Sequence, residues 1–496
     1  MGGTISRRFF LAGSGAAFGF PAAASAPKVS LRPKARGVDI AKRGLPSVDA
    51  LIEKARLGGK VSYSVASVAS GSVLEDRNAS TGLPPASVAK AVTAAYALAV
   101  LGPNHRFRTR VFGTGPVTNG ILKGDLVLAG GGDPTLDTDD LADLAARLKA
   151  GGVREVQGQF LVWGGALPFV RQIDRGQPDQ VSYNPSISGL NLNFNRVRFE
   201  WKKSADTYTI LMDARTEKYR PDVQMAKMRI ARRKTPIYTY EQKNGRDHWT
   251  VARDALGKGG ARWLPVRNPV LYAGEVFQTM TSAHGIRLKP PKQIKTLPGG
   301  TVLAAVESAQ LQIILKGMLK HSTNLTAEVV GLWASKVRTG QVAGLKASAS
   351  EMNRWAKTTL GMSRVALVDH SGLGDASRMT SADMTRGLVA ARKSIDVQPL
   401  LKDIPMRDAN KKIAKNHPVK VMAKTGTLNF VSGLAGYVKA PGKEELAFAV
   451  FAADTKRRSG LTKAQRERPD GARSWNGRAK VLQQDLIDRW AVLFGA

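Results

Sequence analysis

The stretch Pro84-Pro85-Ala86-Ser87-Val88-Ala89-Lys90, followed by the run Ala91-Val92-Thr93-Ala94-Ala95-Tyr96-Ala97-Leu98-Ala99-Val100-Leu101, decides how the chain is read. Prolines that cannot continue a strand hand the backbone to a helix. The hydroxyl of Ser87 and the amine of Lys90, three residues apart, then share one face of its first turn. The run behind them is apolar on nearly every side, which predicts a helix buried in the middle of a domain. A lysine at the edge of such a core is costly unless it has a task. Base catalysis is such a task, because an amine kept neutral by desolvation takes the proton of the neighbouring hydroxyl. Ser87 also sits where the helix dipole favours developing negative charge. The same spacing equally describes an N-cap serine and a lysine snorkelling to solvent. Ser25-Ala26-Pro27-Lys28 repeats it where no chemistry is expected.

Two later segments weigh against that plainer reading. His321-Ser322-Thr323-Asn324-Leu325-Thr326-Ala327-Glu328 holds a Ser-x-Asn, and Ala423-Lys424-Thr425-Gly426-Thr427 holds the one Lys-Thr-Gly of the chain. Ser-x-x-Lys, Ser-x-Asn and Lys-Thr-Gly in that order form the signature of penicillin-binding proteins and serine β-lactamases. Ser182-Tyr183-Asn184 and Ser474-Trp475-Asn476 also fit Ser-x-Asn. The first runs into Pro185, which disfavours helix at Asn184, and the second follows Lys-Thr-Gly and breaks the order. Ser322 is therefore the best candidate, although a helix-capping serine would look the same.

Around these motifs the chain resembles the D-alanyl-D-alanine carboxypeptidase/endopeptidases of the penicillin-binding protein 4 type. The resemblance is carried by Pro85-Ala86-Ser87, by Gly124-Asp125-Leu126-Val127-Leu128-Ala129-Gly130-Gly131-Gly132-Asp133-Pro134, by Ser322 to Glu328, and by Lys424-Thr425-Gly426-Thr427 running on to Leu434-Ala435-Gly436-Tyr437. One departure is Asp369-His370-Ser371-Gly372-Leu373, where that family usually has glycine at the position of His370. The resemblance implies an α/β (α+β) fold: a penicillin-binding protein/serine β-lactamase-like catalytic domain, an antiparallel sheet with helices, carrying one or two inserted, largely β domains. It implies a serine-type hydrolase acting on peptidoglycan stem peptides ending in D-Ala-D-Ala, with β-lactams as covalent inhibitors and no cofactor. Ser87 would attack, Lys90 would be its base, Ser322 would relay a proton and Asn324 would hold Lys90 or the substrate amide. Lys424 and Thr425 would bind the terminal carboxylate, and the N–H groups of Ser87 and Thr427 would form an oxyanion hole. Gly426 is read as leaving room for a substrate backbone.

Composition bounds the alternatives. The absence of cysteine removes disulfides and thiolate metal ligands. Six scattered histidines, with neither H-E-x-x-H nor G-x-S-x-G, argue against a zinc peptidase or an α/β-hydrolase triad, and no metal is expected. Lysine and arginine number 75 against 39 acidic residues, a net +36 that recruits polyanions. The basic residues are densest over 196–234 and 456–478 without a nucleic-acid-binding motif, so nucleic acid is not expected as a partner. A solvated basic surface is one reading, and peripheral contact with anionic envelope polymers or membrane the other. A serine β-lactamase and a non-catalytic wall-binding scaffold are the rival functions.

At 496 residues two or three domains are expected. Residues 1–26 read as a twin-arginine export signal: Ser6-Arg7-Arg8-Phe9-Phe10-Leu11, a short apolar stretch, then the small-x-small site Ala24-Ser25-Ala26. The protein is thus expected to be exported and periplasmic. Residues 27–46 read as a basic linker, 47–108 as the first part of the catalytic domain, 109–267 as inserted accessory domains and 268–496 as the second part. Gly130-Gly131-Gly132-Asp133-Pro134 lacks the Gly-Lys-Ser/Thr ending of a phosphate loop and reads as a tight turn. Strands are predicted over 419–423, 434–439 and 446–452, with a turn over 428–433. The final helix, 480–494, carries Leu482, Leu486, Trp490 and Leu493 on one stripe, suited to packing on a sheet or to lying on a membrane surface.

Overall fold

The computed structural model describes residues 44–408, 412–442 and 444–494. The expected export signal and nearly all of the expected basic linker lie outside the described residues. Among those described, no helix is long and apolar enough to cross a membrane.

The part expected to be catalytic is built on a six-stranded antiparallel sheet in the order Lys402–Asp403, Lys420–Leu428, Val431–Lys439, Glu445–Ala453, Lys60–Ser67, Val73–Arg77. Chain ends far apart in sequence are joined here, since Lys60–Ser67 pairs along its whole length with Glu445–Ala453. Val431–Lys439 and Glu445–Ala453 are buried on both faces and read as nearly continuous apolar runs, as strands covered twice must. One face is covered by the helices Val48–Ala55 and Ala472–Leu493. The stripe Leu482, Leu486 and Trp490 packs there, with Trp490 against Tyr63 and Phe448 at 5.6 and 5.9 Å. The C-terminal stripe is thus spent on the sheet.

The other face carries the bundle organised around Ala89–Leu101. This helix buries every residue from Ala89 to Ala97, because alanines and one tyrosine let neighbours approach on all sides. Helices Leu311–His321, Asn324–Thr339, Leu345–Leu360 and Ser381–Ser394 contribute to the same core.

The accessory part has its own core. A five-stranded sheet runs in the order Lys292–Ile294, Phe160–Trp163, Leu126–Gly130, Arg108–Gly113, Thr301–Glu307, and two three-stranded sheets lie between residues 196 and 265. Helices Thr138–Ala150 and Pro269–Ala283 bury their apolar residues in the same core. The sequence placed the return to the catalytic part at 268. Instead, Pro269–Ala283 and the strands Lys292–Ile294 and Thr301–Glu307 belong to the accessory core and sheet. The last of them pairs with the first strand of the insertion, Glu307 opposite Arg108. The chain returns after Glu307, one short link before Leu311–His321.

Candidate active site

Ser87 lies in a single 3-10 turn, Ala86–Val88, that leads into the buried helix. Ala86 is held at φ +48°, a left-handed conformation that costs a non-glycine residue about 1–2 kcal/mol. The turn keeps it because it is gripped from two sides. On one side is Gly372, at φ +75°, where a Cβ would fall 1.9 Å from the Ala86 carbonyl oxygen. On the other is Gly426, where a Cβ would meet the Pro85 carbonyl oxygen at 2.7 Å. The space where a Cβ of residue 426 would stand is therefore filled by the backbone of the serine turn, which requires glycine there.

Lys90 is wholly buried, and its amine reaches three oxygens: Ser87 Oγ at 2.9 Å, Asn324 Oδ1 at 2.7 Å and the Ser371 carbonyl at 2.8 Å. Desolvation, reinforced by the charge of Lys424, lowers its pKa to about 7. Asn324, the first residue of Asn324–Thr339, is oriented because its Nδ2 donates to the Tyr183 carbonyl, which leaves Oδ1 for Lys90. Ser322 ends the preceding helix at φ +59°, and its hydroxyl accepts from Lys424 Nζ at 3.0 Å. Lys424, 1% exposed, also donates to the Thr425 carbonyl, and burial lowers its pKa to about 8.

The three motifs converge. Ser87, Ser322, Asn324 and Thr427 line one cavity of about 310 Å³, with the Lys90 and Lys424 amines hydrogen-bonded to Ser87 and Ser322 on its wall. Thr425 is exposed, and alternation along Lys420–Leu428 puts its side chain on the same face as that of Thr427, which lines the cavity.

Several residues at the site escaped sequence reading. Glu328 stands one turn after Asn324 and is fully buried, its two oxygens accepting the N–H groups of His370 and Ser371. Asp369 accepts the N–H groups of Gly372 and Gly374. Burial pushes Glu328 up to about 8 and Asp369 upward, and Lys90 pulls both the other way. These carboxylates fix the loop that supplies the Ser371 carbonyl to Lys90. His370 fills a space that exists because residue 331 is glycine: a Cβ there would lie 2.2 Å from the imidazole ring. Burial pushes His370 down to about 3, so the ring is neutral, with Nε2 2.7 Å from the Ser348 hydroxyl.

At the cavity mouth Arg458 and Arg466 both bind Asp375, so these members of the basic 456–478 stretch are turned inward. The two rejected Ser-x-Asn segments also come close without acting as that motif. Tyr183 and Asn476 line the cavity, and Asn184 is buried against the Asp174 backbone.

A cavity-lining serine paired with a buried lysine beside an all-antiparallel sheet and a helical bundle, with Ser-x-Asn and Lys-Thr-Gly facing it, defines the class of the penicillin-binding proteins. The fold is similar to the crystal structure of penicillin-binding protein 4 from Haemophilus influenzae, with TM-score 0.71 and 21% identity, covering 88% of this chain and 99% of that one. The model of the D-Ala-D-Ala carboxypeptidase 3 (S13) family matches residues 45–469, and the chain belongs to that family. It is a hydrolase of the serine peptidase type. It is similar to the D-alanyl-D-alanine carboxypeptidase of Actinomadura sp. (strain R39), 29% identical over 436 residues that cover 81% of this chain and 79% of the relative. It is also similar to D-alanyl-D-alanine carboxypeptidase DacB of Haemophilus influenzae, 24% identical over 428 residues that cover 82% and 88%.

Proposed function

We propose that the protein cleaves the D-Ala-D-Ala bond of peptidoglycan stem peptides, and the equivalent bond in their crosslinked form, through an acyl-enzyme on Ser87. The carrying observation is the set of partners around Lys90. A neutral amine has two N–H bonds and one lone pair. Asn324 Oδ1 and the Ser371 carbonyl can only accept, so they take the two N–H groups, and Ser87 is the one partner able to donate to the lone pair. That geometry points the serine proton at its base.

Ser87 Oγ then attacks the scissile carbonyl carbon as its proton passes to Lys90. The C–N bond breaks as the proton taken up by Lys90 is passed through the Ser322 hydroxyl to the leaving amine, which returns Lys90 to its neutral form. Water then attacks the resulting ester and gives a proton to Lys90, which hands it to Ser87 Oγ as the ester C–O bond breaks. The Lys424 ammonium attracts the terminal carboxylate, with Thr427 on the cavity wall beside it. Thr425, on the same strand face as Thr427, adds its hydroxyl to the clamp, and its carbonyl holds the Lys424 amine. The N–H groups of Ser87 and Thr427 receive the developing oxyanion.

β-Lactams acylate Ser87 as mimics of the same substrate; a second structure of the Haemophilus influenzae protein, similar at TM-score 0.67 and 21% identity, is a complex with a β-lactam. Export across the inner membrane by the twin-arginine route places the enzyme in the periplasm, where its positive charge favours contact with anionic envelope surfaces. The segment from Arg108 to Glu307 is an accessory unit inserted in the catalytic one.

Incubation with a labelled penicillin tests this reading. Label is expected on the Ser87 peptide by mass spectrometry and absent in Ser87→Ala, together with release of D-alanine from a D-Ala-D-Ala peptide. Label on another serine, or turnover of penicillin far faster than of peptide, would overturn it.

A further inference from the structure

Outside the reactive cavity a second and larger groove, of about 690 Å³, runs along the seam between the accessory sheets and the 464–468 segment of the catalytic part. Tyr183 and Glu467 line both spaces, so the two adjoin. Trp201 enters from one three-stranded sheet and Tyr238 from the other, while Trp263, paired opposite Arg198, turns its ring to the other face of its sheet. Nothing in the catalytic chemistry uses the Trp201 and Tyr238 rings.

We propose that this groove is a carbohydrate subsite that holds the N-acetylated glycan strand to which the stem peptide is attached. The proposal rests on the peptidase reading and adds the part of the substrate remote from the scissile bond. Reach supports it: the three or four stem residues before the bond span about 10–14 Å when extended, and a chain leaving the cavity past Tyr183 and Glu467 enters the groove directly. Size supports it as well, because the inner cavity stands at the lower end of the range for ligand sites and has no space for sugars in addition to peptide.

The wall chemistry names the ligand. Aromatic faces offer flat apolar surface to the C–H face of a pyranose, while polar rims are left for hydroxyl and acetamido groups. The rings are already fixed. Trp201 donates its indole N–H to the Leu256 carbonyl at 2.7 Å and stacks on Phe199 at 4.9 Å. Tyr238 lies under the Arg262 guanidinium at 4.6 Å. Such preorganisation reduces the ordering cost of binding. Arg262 is committed to Glu467 at 2.7 Å, and Gln180 donates to the same carboxylate. With that ion pair closed, the groove suits an uncharged amphipathic ligand better than a second peptide carboxylate.

The test compares hydrolysis of a free pentapeptide with that of the same pentapeptide on an N-acetylglucosamine–N-acetylmuramic acid disaccharide. Wild-type protein is expected to favour the glycan-bearing substrate at least tenfold in kcat/KM, mainly through KM. The double variant Trp201→Ala, Tyr238→Ala is expected to lose that preference while free-peptide hydrolysis and penicillin labelling stay unchanged. Equal use of both substrates by the wild type, or an unchanged preference in the variant, would overturn the proposal. Failure to cleave the free peptide would instead sink the peptidase reading. Should the double variant not fold, Ser87→Ala protein is titrated with peptide-free glycan tetrasaccharide and tryptophan fluorescence is read. A saturable change is expected, and its absence refutes the subsite.

Discussion

The two lysines of the site make a prediction about pH. In water a lysine is neutral roughly once in three thousand molecules at pH 7, whereas Lys90, held near 7, is neutral about half the time. That difference is worth about 5 kcal/mol toward having the free base ready, and burial supplies most of it, with Lys424 second. Acylation by a penicillin should rise with pH to a midpoint near 7 as Lys90 loses its proton. It should fall again with a midpoint near 8 as Lys424 loses the charge that attracts the carboxylate. Lys424→Met separates the two effects. Loss of the charge-assisted bond, worth about 1.5–3 kcal/mol, lowers the plateau ten- to hundredfold. Removing the neighbouring cation raises the pKa of Lys90, so the rising limb moves to more alkaline pH, and the falling limb disappears. The assay is the second-order acylation rate across pH 5 to 10 by stopped-flow mixing or rapid quench. A rising limb unmoved in Lys424→Met, or moved toward acid, would refute the idea that the second lysine tunes the first.

The remaining expectations concern the packing behind the site. Gly331→Ala should destabilise the protein by about 1–3 kcal/mol, because its Cβ would enter the His370 ring; adding His370→Gly should recover most of the loss, read as urea midpoints in a double-mutant cycle. Additive losses would show that the two positions are not partners. Glu328→Gln leaves one of the two N–H groups of His370 and Ser371 facing an amide N–H, for a cost of about 1–3 kcal/mol. Because the Ser371 carbonyl then loosens from Lys90, penicillin acylation should slow more than global stability explains, and acylation at the wild-type rate would deny Glu328 that positioning role.

Much of the site could be read in advance because it is written locally. A serine and a lysine one helical turn apart before an apolar run, and Lys-Thr-Gly before alternating residues, carry their geometry in their spacing. What escaped notice depends on distant pairing. Pro269–Ala283 is apolar enough to pass for a catalytic helix, and no local mark shows that Thr301–Glu307 will lie beside Arg108–Gly113. The hairpin after Lys-Thr-Gly was expected over 428–433, yet Leu428 pairs with Val431 around Asn429 and Phe430. A buried Phe430 at φ +57° is an unusual turn residue, tolerated because the ring is wanted in the core next to Trp475. Arg458 and Arg466 looked like solvated charge because the carboxylate that turns them inward, Asp375, is far away in sequence.

The neighbouring positions of Arg108 and Glu307 have a consequence for how such a molecule is assembled. Adjacent strands lie about 4.8 Å apart, so to the catalytic framework the whole excursion between those residues is a detour that starts and finishes at nearly one point. Closing a loop of that length adds little more entropy than closing a much shorter one. Each part has its own main apolar interior, and a smaller cluster of Leu167, Ile187, Leu325, Val329 and Leu332 ties the two together, so material gained or lost within the excursion leaves Ser87 and Lys424 in place when it falls away from that cluster and from Tyr183.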